Sequence, residues 1–332
     1  MIGLTDIGSQ AVPVTLITGF LGAGKTTLVN RMLREANGLR LAVLVNDFGA
    51  VNIDAELIEG TAEEIISLRN GCICCSLTGG LLAAISGVLR RTDPPDAIVI
   101  EGSGVTDPVE VARALSDPEL QRHAPLDGIV TVVDAAGFDE LDGEALTLAE
   151  QQIATADLVL LNKADLACDR TLQAAEARVK ALAPGIRLVR CANAQVPLSA
   201  LLGMARAGAG AGFACDGADI SVAKAGAAFE SIVIERSEPV DMQRLHHLLS
   251  NLPDRVYRVK GVLHLAERPQ ARCILQATGR RASITIGEPW NGRSPSSQIV
   301  FVAAKGALDR SLIESRLDNA STMKPGAEAK VA

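Results

Sequence analysis

The chain predicts an α/β fold with a mostly parallel sheet, followed by a smaller C-terminal α+β domain. Two patterns carry this expectation. Over the first two thirds, short β-branched runs alternate with helix-length amphipathic stretches, which is the signature of a parallel sheet with helical crossovers. Beyond a Gly/Ala-rich stretch at 206–226 the pattern changes to several strands with few helices. At 332 residues the chain exceeds one small core and suits two domains.

The strands expected in the first part are VTLIT at 14–18, LAVLV at 41–45, EIISL at 64–68, AIVI at 97–100, GIVTVV at 128–133 and DLVLL at 157–161. Helices are expected at 26–36, 77–91, 108–116, 146–155 and 170–182. The later strands are FESIVI, RVYRVKGVLHLA, ARCILQATG, ASITIG and QIVFVAA, with helices at about 241–250 and 307–317. This gives a first domain at 13–205, a linker at 206–226, a second domain at 227–318 and a polar, disordered tail at 319–332.

Composition narrows the function classes. Hydrophobic residues make up 48% and charged ones 21%, so the chain can bury a core, but aromatics are only 2% and that core must be aliphatic. A net charge of −7 disfavours nucleic acid as a bulk electrostatic partner. No apolar run approaches the roughly 18 residues needed to cross a bilayer, so no membrane partner is expected. The N-terminal MIGLTDIGSQ lacks the basic-then-apolar pattern of an export signal. Seven cysteines, an odd number at irregular spacing, fit a reducing cytoplasm in which thiols are free to bind metal.

The strongest motif is GFLGAGKT at 19–26, between an expected strand and an expected helix. It fits G-x-x-x-x-G-K-[ST], a phosphate-binding loop of the P-loop NTPase type. Gly19, Gly22, Ala23 and Gly24 let backbone N–H groups curl around phosphate, and the helix N-terminus adds partial positive charge. Lys25 reaches the β- and γ-phosphates, the Thr26 hydroxyl is placed for Mg²⁺, and Thr27 completes the loop. The bland alternative is a glycine turn, which four fixed positions in the right context make improbable.

NKAD at 162–165 ends another expected strand. A carboxylate at Asp165 can accept from guanine's ring N–H and exocyclic amine together, whereas adenine offers no such donor pair. Asn162, Lys163 and Asp165 therefore read guanine and point to GTP and GDP. The structural alternative makes Asp165 an N-cap of the following helix. AIVIEGSG at 97–104 offers Glu101 as the residue sensing Mg²⁺ and the γ-phosphate, with Gly102 and Gly104 giving room. NDFGAVNID at 46–54 places Asn46, Asp47 and Asp54 in a loop that γ-phosphate can order.

NGCICCSLTGG at 70–80 gathers Cys72, Cys74 and Cys75 ahead of an expected helix with Ser76 as its cap. Thiolates are favoured near a helix N-terminus. In an extended segment Cys72 and Cys74 share a side, which makes them the firmer pair. Three ligands leave a tetrahedral site open, as suits a metal that is handed on. The alternatives are small buried hydrophobes, or a redox C-x-x-C formed by Cys72 and Cys75. Cys168, Cys191, Cys215 and Cys273 lack ligand spacing. His246 and His247 read as surface residues of a helix, and His123, in a loop before a strand, is a weak extra ligand.

GFLGAGKTT, NDFGAVNID, GCICC, IEGSGVTDP and NKAD, in this order and spacing, resemble the CobW family of GTPases, relatives of UreG and HypB. The resemblance extends over residues 13–318, with FESIVIERSEP through QIVFVAAKGALD similar to that family's C-terminal domain. It implies a GTP-dependent metallochaperone or metalloenzyme activator whose C-x-C-C cysteines bind a divalent transition metal. Zn²⁺ or Co²⁺ is expected there by ligand type. The expected partner is a client metalloprotein or a metal-cofactor biosynthesis enzyme, with a homodimer left open. Three departures stand out: Asp47 replaces a common Glu, EGSG replaces E-T-S-G, and no His-rich stretch marks the domain junction. Two further function classes are a GTP-driven interaction switch that carries no metal and a P-loop kinase or synthetase. The second has no need of N-K-x-D.

Overall fold

The computed structural model describes residues 11–36, 38–47, 65–69, 77–202, 229–279 and 281–318. The segments bearing Cys72, Cys74, Cys75, Cys215, Ser76 and Asp54, the expected linker and the expected tail lie outside the described residues.

The first sheet runs in the order β3-β2-β4-β1-β5-β6-β7, and every neighbouring pair is parallel. Its strands are β1 Val14–Thr18, β2 Leu41–Asp47, β3 Ile65–Arg69, β4 Ala97–Gly102, β5 Leu126–Asp134, β6 Leu158–Asn162 and β7 Arg187–Arg190. The helices between them are α1 Lys25–Arg34, α2 Leu77–Leu89, α3 Pro108–Leu115, α4 Pro118–His123, α5 Gly143–Ala154, α6 Asp169–Leu182 and the short α7 Leu198–Leu201.

Strands covered on both faces must be apolar throughout, and β1, β4 and β6 are buried at every position. Successive residues serve opposite faces. Ile17, Val43 and Val99 join one core with Leu28, Val29 and Met32 of α1. Leu16, Leu44 and Ile100 join another with Ile85 of α2 and Val111 of α3.

The second sheet is antiparallel, in the order β11-β10-β9-β12-β8. It comprises β8 Phe229–Arg236, β9 Val256–His264, β10 Ala271–Thr278, β11 Arg281–Pro289 and β12 Ser297–Ala304. Helices α8 Met242–Ser250 and α9 Arg310–Asp318 cover one face through Leu245, Leu248, Ile313 and Leu317. Phe229, Tyr257, Val300 and Val302 belong instead to the core that holds α1, so hydrophobic packing is continuous between the two sheets.

One buried and one partly exposed ion pair reinforce that seam. Arg258, with no exposed surface, donates from Nη2 to both carboxylate oxygens of Asp127 at 2.7 Å. Arg281 donates to Asp157 at 2.9 Å. Asp127 and Asp157 lie at the N-terminal ends of β5 and β6. The second sheet therefore anchors at the edge opposite the loops that leave the C-terminal strand ends.

The structure corrects several expectations. Strand β7 and helices α4 and α7 add elements that the alternating pattern did not reveal. His123 ends α4 and is not in a loop, and its carbonyl accepts from Val12 N–H at 2.7 Å. His246 and His247 are exposed on α8, as expected.

Candidate nucleotide site

In open parallel sheets ligands gather beyond the carboxyl ends of the strands. Residues 19–24 leave the end of β1, the stretch after Glu101 leaves β4, Asp134 ends β5 and Asn162 ends β6. One edge of the sheet therefore collects every motif residue the structure describes.

The loop at 19–24 is shaped by left-handed backbone, with φ of 138° at Gly19, 76° at Gly22 and 107° at Gly24. Gly24 is held for two reasons. Its φ is strained for any side chain, and a Cβ there would lie 2.4 Å from Asn162 Nδ2. It is also the N-cap of α1, whose first turn has no side-chain cap. The N–H groups of Lys25, Thr26 and Thr27 begin that helix before its first i→i−4 bond, from Leu28 N–H to Gly24 O at 3.0 Å. Such uncapped N–H groups with a helix dipole behind them form an anion site. Ala23 is buried and Thr27 is exposed. The largely buried Lys25 folds back so that Nζ donates to Phe20 O at 3.2 Å, keeping the cation over the loop.

Thr26 Oγ1 donates to Glu101 Oε1 at 2.7 Å. Glu101 is 3% exposed at the end of β4, so a carboxylate and a hydroxyl meet beside the loop. Two oxygen donors of this kind suit a hard divalent cation such as Mg²⁺. Asp47 ends the neighbouring strand, where its backbone pairs with Arg69 two residues past the Val45–Glu101 pairing. Nothing of the Asp47 side chain is described.

Asn162 is 2% exposed and braces the site from within. Its Nδ2 donates to Ala23 O at 2.9 Å, and its Oδ1 accepts from Ala194 N–H at 2.9 Å. The side chain thus ties the loop at 19–24 to the segment after β7, where Asn193 and Ala194 take φ of 49° and 54°. Lys163, at φ 56°, sends Nζ to Asp134 Oδ2 at 2.6 Å. Asp134 Oδ1 in turn accepts from Ala136 and Gly137 N–H.

Asp165 is exposed and does not cap a helix. The residue before α6 is Cys168, whose sulfur shares a hydrogen bond with Thr171 Oγ1 at 3.2 Å. The alternative reading of Asp165 as an N-cap is therefore excluded.

Sequence reasoning missed Asp134 and the loop at 191–194. An acid closing a buried strand was a usable signal for the first, while nothing in CANA marked the second. Cys191 is buried, and burial pushes its thiol pKa up to about 12, so it is an inert core thiol. Among the described residues no three His, Cys, Asp or Glu side chains gather into a metal site, and Cys72, Cys74 and Cys75 lie outside them. No described helix is long and apolar enough to cross a membrane.

Residues 13–190 match the family model of the CobW/HypB/UreG nucleotide-binding domain, and residues 229–321 match that of the cobalamin synthesis protein cobW C-terminal domain. The chain is 34% identical over 309 residues to the zinc chaperone YjiA of Escherichia coli (strain K12), covering 88% of this chain and 93% of that protein. It is 30% identical over 334 residues to the zinc chaperone CobW of Sinorhizobium sp, covering 88% and 92%. A crystal structure of Zn(II)-bound YjiA GTPase from E. coli is similar at 25% identity, over 93% of this chain and 98% of that one, with a TM-score of 0.42. With its nucleotide-binding domain and its C-terminal domain both matched, the chain belongs to the CobW/HypB/UreG family.

Proposed function

We propose that this protein is a GTP-hydrolysing metallochaperone that loads a divalent transition metal and delivers it to a client under nucleotide control. The observation that carries the nucleotide half is the Thr26–Glu101 contact of 2.7 Å beside the uncapped start of α1. The metal half is supported by relatives named zinc chaperones and by three closely spaced cysteines in the stretch between β3 and α2.

In this reading the N–H groups of residues 22–27 cradle the phosphates, and Lys25 leaves Phe20 O to meet the β- and γ-oxygens. Thr26 and Glu101 are the residues that would hold Mg²⁺, which would supply positive charge to offset that of the phosphates. Asp165 accepts from guanine, Asn162 fixes the geometry of the loop, and Lys163 is held in place by Asp134. Asp47 and Glu101 are the carboxylates assigned to the hydrolytic step in this reading. Cys72, Cys74 and Cys75 take Zn²⁺ or Co²⁺ as cargo, for a client metalloprotein or a metal-cofactor biosynthesis enzyme.

Ordering of the loops by γ-phosphate changes the metal affinity. Linkage then requires metal to tighten GTP binding by the same factor that GTP tightens metal, typically about 5- to 150-fold. The test measures Zn²⁺ affinity by competition with a chelator in GTP-analogue, GDP and nucleotide-free states. It uses the wild type and the Cys72→Ala, Cys74→Ala double variant. Tight binding confined to the GTP-analogue state and lost in the double variant is expected. Equal affinity in all states would overturn the coupling, and unchanged affinity in the double variant would place the metal elsewhere. GTP hydrolysis without measurable metal binding would favour an interaction switch.

A further inference from the structure

Gln152, on α5, has no exposed surface and lies outside every motif named above. Its Nε2 donates to two backbone carbonyls, Gly104 O at 3.3 Å and Thr106 O at 3.2 Å. Both carbonyls belong to the loop that follows Glu101. Its own backbone carbonyl accepts from Thr131 Oγ1 at 2.9 Å. The single hydroxyl proton of Thr131 is used there, so Thr18 is the donor in the 2.8 Å Thr18–Thr131 contact. Thr18 is the last residue of β1, immediately before the phosphate loop.

The loop held by Gln152 is a closed turn. Thr106 N–H donates to Ser103 O, and the two hydroxyls lie 3.0 Å apart. The turn presses directly on the phosphate loop. A Cβ on Gly104 would lie 2.3 Å from Leu21 Cδ2 and 2.8 Å from Leu21 N. Gln152 thus contacts one end of a chain of packed groups whose other end carries Glu101 and the backbone around Leu21.

Packing does not explain a glutamine here. Its Oε1 is buried with no hydrogen-bond partner among the described residues, and an unsatisfied buried acceptor is destabilising. The side chain also lines a cavity of about 110 Å³ with Phe20, Leu21, Thr131, Asp134 and Phe138. An aliphatic side chain would fill this place without leaving an orphaned acceptor. What only the amide supplies is the pair of N–H donors to Gly104 and Thr106.

We propose that Gln152 is a positioning residue for the hydrolytic step, fixing the turn at 103–106 against the phosphate loop and thereby fixing Glu101 against Thr26. This rests on the reading of the chain as a GTPase. Gln152 acts through the turn and not on the nucleotide, so its loss disturbs the reacting geometry more than the binding of GTP.

The test compares Gln152→Leu, which keeps the volume and removes both donors, with Gln152→Glu, which keeps the shape and sets a carboxylate against two carbonyl oxygens. Gln152→Leu should lower kcat about 10-fold or more while KM for GTP stays within about threefold. Gln152→Glu should be impaired at pH 8 and recover toward pH 6. A carboxyl buried against carbonyl oxygens stays protonated to higher pH and then returns one donor. The wild type should lack that acid limb when measured in parallel, and a purely structural glutamine would shift the urea midpoint without splitting kcat from KM.

Wild-type kcat in Gln152→Leu, or a Gln152→Glu variant that folds but shows no acid recovery, would overturn the proposal. If Gln152→Leu does not fold, the pH profile of Gln152→Glu decides. A wild-type protein that neither binds nor hydrolyses GTP would overturn the GTPase reading itself, and this inference with it.

Discussion

The Thr26 hydroxyl meets Glu101 Oε1 at 2.7 Å across 75 residues of sequence, joining the first turn of α1 to the end of β4. Thr26→Ser keeps the hydroxyl and should retain activity. Glu101→Gln keeps an oxygen for Thr26 to donate to, so fold and nucleotide binding should persist. The negative charge is lost, and hydrolysis should fall on the order of 100-fold, as when one electrostatic group of an active site is removed. Single-turnover GTP hydrolysis checks this, and a fully active Glu101→Gln protein would remove the carboxylate from the reaction.

Asp165 is exposed, as a residue waiting for a base should be. Asp165→Asn should weaken GTP and gain xanthine nucleotide, whose extra carbonyl suits an amide. Calorimetric titration with GTP, ATP and xanthosine triphosphate reads the switch. Equal wild-type affinity for ATP and GTP would refute base reading by this residue.

Asn162 should behave differently, because its amide is used inside the protein. Asn162→Ala strips partners from Ala23 O and Ala194 N–H, and an unsatisfied buried group costs about 1–3 kcal/mol. Binding of every purine nucleotide should weaken together, with a lower urea midpoint. A selective loss of GTP with unchanged stability would make Asn162 a base reader after all.

At the seam between the sheets, Asp127→Asn leaves the guanidinium of Arg258 buried without its counter-charge. Breaking one side of a buried pair costs about 3–5 kcal/mol, whereas replacing both partners with apolar residues is often close to neutral. Asp127→Asn should therefore unfold at much lower urea than the Asp127→Leu, Arg258→Met double variant. Equal midpoints would mean that the pair is not buried in solution.

Cys191 gives a pH prediction. Burial raises its folded pKa to about 12 from an ordinary thiol value near 9, so the folded state keeps a proton that the unfolded state releases. Its contribution is full below the unfolded pKa and is lost as pH rises from about 9 toward 12. Above pH 9 the wild type should lose up to about 1.4 kcal/mol per pH unit more than Cys191→Ala. Parallel pH slopes for the two proteins would show that the thiol is reached by water.

The strand and helix pattern was legible because it is a local signal, and so was the placing of the 19–26 loop, Glu101 and the N-K-x-D segment at strand ends. Apolar alternation fixes which residues face a core, and a glycine-rich turn between strand and helix fixes where the chain can take left-handed backbone. Strand β7 was not legible, since RLVR is short and carries arginines at both ends. Its place at the sheet edge, beside β6, is what makes it a strand.

The tertiary structure decided what the local pattern could not contain. Asn162 reads as a base contact in sequence, yet its amide is spent on Ala23 and Ala194, 139 and 32 residues away. Asp134 becomes the partner of Lys163 only because β5 and β6 are neighbours in register. The Arg258–Asp127 pair spans 131 residues and brings two separately patterned units onto one continuous core. Periodicity and motif spacing report the environment of a residue through its near neighbours in sequence. Which polar group closes on which is set by the order and register of strands, and that order is a property of the whole chain.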